Sequence, residues 1–288
     1  MNTPVIAIPP SFDSSGKLET NSTSAYLNYL HKNGGKCVMS TAGTSQFNFL
    51  NNDEIHLFNE CLAGFNGNKI LGIPPVFSSQ AKEFAINSKK YTDNNSFLMA
   101  LYPDRHYGDS IIYDYVKCIC DTLGNGIYLH TPKMRSGISG DWNYHSDIVN
   151  SLHSDGMVLG IKEEHLNLQS SYNFVRSLNK EIDVIVAGGS MRRYCFLESA
   201  GANSFLSGIG NFKPEIENLF LEGNNKDRNL ILQKEADFFE TFMKHGWHKC
   251  LRAGLRLSNL TCFYDRQPWP SVDPTLEKTI LKLIKEIS

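Results

Sequence analysis

No glycine-rich phosphate loop of the G-x-G-x-x-G or G-x-x-x-x-G-K-[ST] kind occurs in the chain, which argues against nucleotide binding. Long hydrophobic runs are missing too. None approaches the roughly 18 apolar residues of a membrane-spanning helix, so no membrane partner is expected. An excess of either charge is also lacking: the formal net charge is −2, with acidic and basic residues interspersed. That leaves no electrostatic footprint for a nucleic acid or a membrane surface. The opening MNTPVIAIPP has no basic stretch and only a short apolar run, and no signal peptide is expected. Cysteines are present without a pairing pattern, at 37, 61, 118, 120, 195, 250 and 262. Only Cys118 and Cys120 are close, and one intervening residue suits neither a zinc knuckle nor a CxxC redox pair. The expectation is free thiols, a cytoplasmic setting and no metal.

What the chain does have is alternation. Over 288 residues, 41% hydrophobic and 20% charged, short apolar runs recur between longer amphipathic stretches. The runs are Val5–Ile8, Cys37–Thr41, Ile70–Ile73, Phe97–Leu101, Gly126–His130, Met157–Ile161, Val184–Ala187 and Ser204–Leu206. Each is short and almost wholly apolar, as a strand buried on both faces must be. Helical patterns fill the gaps at Ser22–Lys32, Asp53–Ala63, Ser110–Leu123 and Leu168–Leu178, and Gly and Asn punctuate the joints. Eight such β/α units predict an α/β protein, a (β/α)8 TIM barrel, rather than an open doubly wound sheet. Strand signals stop after Glu222, and Asp227–His245, Lys249–Leu257 and Pro274–Ile287 read as helices. The expected organisation is a barrel over 1–222 and a C-terminal helical extension over 223–288, packed on it.

In such a barrel the chemistry belongs at the C-terminal ends of the strands. Run six leads directly into Lys162. A lysine there either reaches out to water along its aliphatic stem or stays inside with its amine desolvated. In the second case burial disfavours the charge, and a neutral amine is a nucleophile suited to imine formation with a ketone. Run two ends Ser40-Thr-Ala-Gly-Thr-Ser-Gln46, whose small and hydroxylated residues suit either a carboxylate or the N-cap of the next helix. Run seven ends Ala187-Gly188-Gly189-Ser190, again compatible with a ligand-facing turn or a cap.

These segments, in order, resemble the dihydrodipicolinate synthase / N-acetylneuraminate lyase family. Gly160-Ile-Lys162-Glu resembles its G-[IVL]-K-[ED] Schiff-base motif, and Ala42-Gly-Thr-Ser-Gln-Phe-Asn-Phe-Leu50 resembles its G-T-T-G-E loop. Ala200-Gly-Ala-Asn-Ser-Phe-Leu-Ser-Gly-Ile-Gly-Asn211 is similar to the segment after the strand-seven glycine, and Trp247 through Pro270 to the C-terminal helices and tail. The resemblance implies a Schiff-base lyase, an aldolase or dehydratase acting on pyruvate or a related 2-oxo acid or sugar acid. Lys162 would form the imine, with no cofactor beyond that covalent link. It further implies that Gly43, Thr44, Ser45, Arg135, Gly188 and Leu206 line the substrate site, and that the protein is a homo-oligomer, a tetramer or dimer.

Three positions depart from the family pattern. Where the family's strand-five tyrosine relays protons, Ile127-Tyr-Leu-His-Thr-Pro132 aligned on the proline presents Leu129, with Tyr128 one place early. Strand alternation sends Tyr128 to the opposite face unless a bulge re-aims it. Tyr128 and Tyr107 are the candidate replacement hydroxyls, and His106 and His130 are further acid–base candidates. Gln46 stands in place of a glutamate, and the strand-four end reads Leu101-Tyr-Pro-Asp-Arg-His-Tyr107. The competing reading is a catalytically silent barrel that binds a ketoacid or serves as a scaffold.

Overall fold

The structure, a computed structural model, describes residues 1–41, 43–102, 108–130, 145–165 and 167–287. Every predicted apolar run forms a strand: β1 (Ile6–Ala7), β2 (Cys37–Met39), β3 (Asn68–Ile73), β4 (Ser96–Leu101), β5 (Ile127–His130), β6 (Val158–Glu163), β7 (Asp183–Val186) and β8 (Ser204–Phe205). The strands are parallel and follow one another in chain order. Every residue of β2 and of β5 is buried, the signature of strands covered on both faces. The fold is a (β/α)8 barrel, and beyond residue 222 the described chain carries the three expected helices. Chain contacts divide it into two compact units.

The first unit comprises Met1–Val5 and Lys69–Leu206. It holds almost all of β3, together with β4 to β8, and the helices α3 (Ser78–Ser88), α4 (Asp109–Leu123), α5 (Ser146–Ser154), α6 (Leu168–Ser177) and α7 (Ser190–Leu197). Val5 bridges in parallel to Leu206, so the residue ahead of the first strand lies beside the last. Helix α4 shows how local sequence sets the elements. Its buried face is Ile112, Tyr115, Val116, Ile119 and Cys120, at helical spacing, and Gly124 ends it at φ 82°, where its N–H returns to the Cys120 carbonyl.

The second unit comprises Ile6–Asn68 and Ser207–Ser288. Here β1 pairs with β2, Ile6 opposite Val38. The helices are α1 (Thr20–Lys32), α2 (Asn52–Ala63), α8 (Pro214–Glu222), α9 (Asn225–His245), α10 (Trp247–Leu257) and α11 (Pro274–Glu286). Asn51 and Glu54 close a reciprocal capping box on α2, and Asp273 caps α11 just ahead of Pro274. Phe212, Phe238, Phe242 and Trp247 form an aromatic cluster that ties α9 and α10 together, with Phe238 and Phe242 stacked at 3.9 Å. Among the described residues no helix is long and apolar enough to cross a membrane. All seven cysteines are free thiols.

Candidate active site

Strand β6 runs two residues beyond the end expected from its apolar pattern, through Lys162 to Glu163. Alternation therefore points Lys162 and Glu163 to opposite faces. Lys162 is 2% exposed, which rules out the reading in which its stem carries the amine to solvent. Its Nζ lies 2.7 Å from Nε2 of His130 and is ion-paired with Glu164, whose other oxygen stands 3.0 Å from the same His130 nitrogen. Lysine, histidine and glutamate thus form a buried triangle at the C-terminal ends of β5 and β6. All three are in the first unit.

The pairing of β5 with β6 explains how His130 arrives there. Ile127 is opposite Val158, yet Tyr128 is opposite Gly160, so Leu159 is an extra residue on β6. After this irregularity Leu129 faces Ile161 and His130 faces Lys162. With a regular register residue 131 would occupy that place. Tyr128 shares the face of His130, so the expectation that alternation would turn it away is corrected by the bulge. The Tyr128 hydroxyl takes a carboxylate as its partner. It donates to Asp183 at 2.6 Å, at the start of β7, where the N-terminal ammonium and Asn203 also bind. Among the described residues, an imidazole and the Glu164 carboxylate stand beside the amine.

The Tyr128 ring needs the space above Gly160. A Cβ built at Gly160 would lie 2.4 Å from the ring and 2.8 Å from the Asp183 Cβ. Gly160→Ala is therefore expected to cost about 1–3 kcal/mol, since neither neighbour is the end of a flexible chain. Urea denaturation measures this, and an unchanged midpoint would contradict it.

The electrostatics modify the sequence expectation of an amine made neutral by burial alone. Burial pushes the Glu164 carboxyl up, but the charge of Lys162, followed by His130, outweighs it and holds the group well below the usual carboxylate range. Lys162 thus meets an ionised carboxylate, which favours its ammonium form even as desolvation opposes it. Glu163, on the other face, has a different task. Its carboxylate accepts from the His165 backbone at 2.7 Å and from Arg193 at 3.1 Å, and its Oε1 lies 2.6 Å from His165 Nδ1. Arg193 also bonds the His165 carbonyl and Ser171, so this network fixes the loop that leaves β6. Burial pushes the Glu163 carboxyl up as well, and its hydrogen bonds with His165 and Ser171 and the Arg193 charge bring it below its ordinary value.

Gly188 follows β7 at φ 73°, a conformation glycine adopts without strain. Leu206 follows β8 and donates its N–H to Val186 at 2.7 Å. Gly43, Thr44 and Ser45 lie in the turn after β2, in the second unit. Ser45 is committed inside that turn: its hydroxyl donates to the Ile8 carbonyl at 2.6 Å and accepts from Thr41, while its N–H bonds the Thr41 carbonyl. Thr44 is buried and makes no hydrogen bond through its hydroxyl among the described residues. Gln46 is held left-handed at φ 54°, its side-chain oxygen accepting from Arg252 at 3.3 Å. Tyr107, His106 and Arg135 lie outside the described residues. Among the described residues no group of three or more His, Cys, Asp or Glu side chains is placed to hold a metal ion.

Sequence reasoning found Lys162 and named His130 only as a spare. Glu164 it did not assign. The signal was available in Lys162-Glu-Glu164, because residues two apart in an extended chain share a face and Glu164 directly follows β6.

No family model matches the chain. In sequence it is 22% identical over 285 residues to 4-hydroxy-tetrahydrodipicolinate synthase of Karelsulcia muelleri (strain GWSS), covering 96% of this chain and 94% of that protein. Its fold is similar to that of the 4-hydroxy-tetrahydrodipicolinate synthase of Methylacidiphilum fumariolicum SolV, with a TM-score of 0.81 at 19% identity, covering 100% of this chain and 97% of the other. It is similar also to N-acetylneuraminate lyase from Fusobacterium nucleatum, with a TM-score of 0.84 at 15% identity over 100% and 99% of the two chains. Alike over its whole length, yet at low identity, the chain is similar to a 4-hydroxy-tetrahydrodipicolinate synthase in sequence, and to that enzyme and N-acetylneuraminate lyase in fold.

Proposed function

We propose that the protein is a lyase of the class I aldolase kind, whose Lys162 amine forms an imine with pyruvate or a related 2-oxo acid. The observation that carries this reading is the burial of that amine at the end of β6 within hydrogen-bonding distance of an imidazole. A buried lysine with a proton acceptor beside it is poised to become a nucleophile. The protonated imine withdraws electrons from C3, so that a proton or a carbon–carbon bond there can be lost to leave an enamine. No metal or redox group is needed for that step, because the imine is itself the electron sink. The whole-length likeness to a 4-hydroxy-tetrahydrodipicolinate synthase and to an N-acetylneuraminate lyase supports the same chemistry. The free cysteines suit a reducing compartment, in keeping with a cytoplasmic enzyme.

A silent scaffold is the less economical reading. Gln46 and Leu129 motivate it by removing a carboxylate and a phenol, but His130 restores an acid–base group at the amine. The discriminating test is exchange of the C3 protons of pyruvate in deuterium oxide, followed by proton NMR. Enzyme-dependent loss of the methyl signal is expected. Binding of pyruvate, or of longer 2-oxo acids, with no exchange at C3 would overturn the lyase reading.

A further inference from the structure

We infer that His130, held against Glu164, is the acid–base residue that deprotonates Lys162 and later protonates the departing oxygen as the imine forms. The inference rests on the lyase reading above and assigns the proton-transfer role to a residue on β5 other than a tyrosine. It follows from three observations. Nε2 of His130 is 2.7 Å from the amine and 3.0 Å from Glu164, so one nitrogen faces both partners. The extra residue Leu159 places His130 opposite Lys162. And the Tyr128 hydroxyl is bound to Asp183.

The step balances as follows. Neutral Nε2 takes a proton from the Lys162 ammonium, and the resulting N–H is oriented toward Glu164, whose charge stabilises the imidazolium. The freed amine pair attacks C2 of the 2-oxo acid, the C–N bond forms, and the carbonyl electrons move to oxygen. A proton passes from nitrogen to that oxygen to give the carbinolamine. The imidazolium then gives its proton to the hydroxyl, the C–O bond breaks, water leaves, and the iminium keeps the last N–H proton. Histidine ends neutral, as it began. Glu164 is a poor alternative base, since its carboxyl is held well below the ordinary range. His130 meets the charged Lys162 of β6 and Glu164 at its exit, and its neighbour on the β4 side is apolar Leu101.

The test mixes protein with pyruvate, quenches with borohydride at intervals and reads the adduct by intact mass. Wild type should show a trapping rate that falls on the acid side as the imidazole takes up a proton. His130→Gln should still reach an adduct, at a rate reduced at least about 100-fold and without that acid limb. An adduct formed by the variant at the wild-type rate, or with the limb retained, overturns the inference while leaving the lyase reading intact. No adduct on wild type overturns both. Should His130→Gln fail to fold, the wild-type profile decides alone, because a rate flat across the imidazole range contradicts a histidine base.

Discussion

Lys162→Met is expected to abolish adduct formation with every 2-oxo acid and to leave no measurable C3 exchange. No other described side chain supplies a buried amine next to an imidazole, and covalent catalysis through an imine has no partial substitute. Loss of the nucleophile should lower turnover by several orders of magnitude, on the order of 10⁴ or more. Stability should fall as well. Glu164 would stay buried without the ammonium it is paired with, at a cost of about 1–3 kcal/mol. The pH dependence has a definite sign. In wild type the folded-state Glu164 carboxyl lies below its ordinary value, so its contribution is present above the carboxylate range and is lost as the pH falls. The stability gap between wild type and Lys162→Met should therefore be widest near neutrality and shrink below about pH 4. Urea titrations of both proteins across pH measure it. A gap independent of pH would mean that the ion pair contributes nothing to the folded state.

The second large effect is expected at Arg252, in the second unit and outside any step of the chemistry. The residue is 1% exposed, with one of the largest buried side chains among the described residues. Its guanidinium donates to Asp265, to the Pro10 carbonyl at 2.6 Å, to the Tyr264 carbonyl at 2.8 Å and to Gln46, and it lies over the Phe12 ring at 5.4 Å. One residue on α10 thus ties the chain after β1 to the C-terminal stretch around Tyr264 and Asp265. Arg252→Met keeps much of the apolar stem but leaves two carbonyls without this donor and takes one of the two arginines from Asp265. The expected cost is about 3–5 kcal/mol, the range for breaking a buried ion pair from one side. Thermal or urea denaturation of the variant provides the value. A change below about 1 kcal/mol would show that water replaces these bonds without penalty.

The architecture was legible in the sequence because its determinants are local. Strands buried on both faces need short apolar runs, and the eight runs and the intervening helical patterns mark the elements to within a few residues. The end of β6 was misplaced because Lys162 and Glu163 are polar, and a pattern of apolar residues cannot tell a strand that ends from one that continues with satisfied charges. The position of Lys162 was readable for the same local reason. Its partner on β5 was not. Whether His130 or Tyr128 meets the amine depends on the register of β5 against β6, and that register turns on one extra residue, Leu159, whose effect no single-strand pattern carries. Ser45 shows a related ambiguity. A hydroxyl in a small-residue loop suits a ligand or the loop itself, and here its bonds to Ile8 and Thr41 close the loop.

The most direct test is borohydride reduction in the presence of pyruvate, followed by peptide mapping of the modified protein. The account predicts one reduced pyruvate per chain, carried on the peptide containing Lys162 and absent from Lys162→Met. Reduction that leaves the intact mass unchanged across several 2-oxo acids, or places the adduct on another lysine, would contradict it.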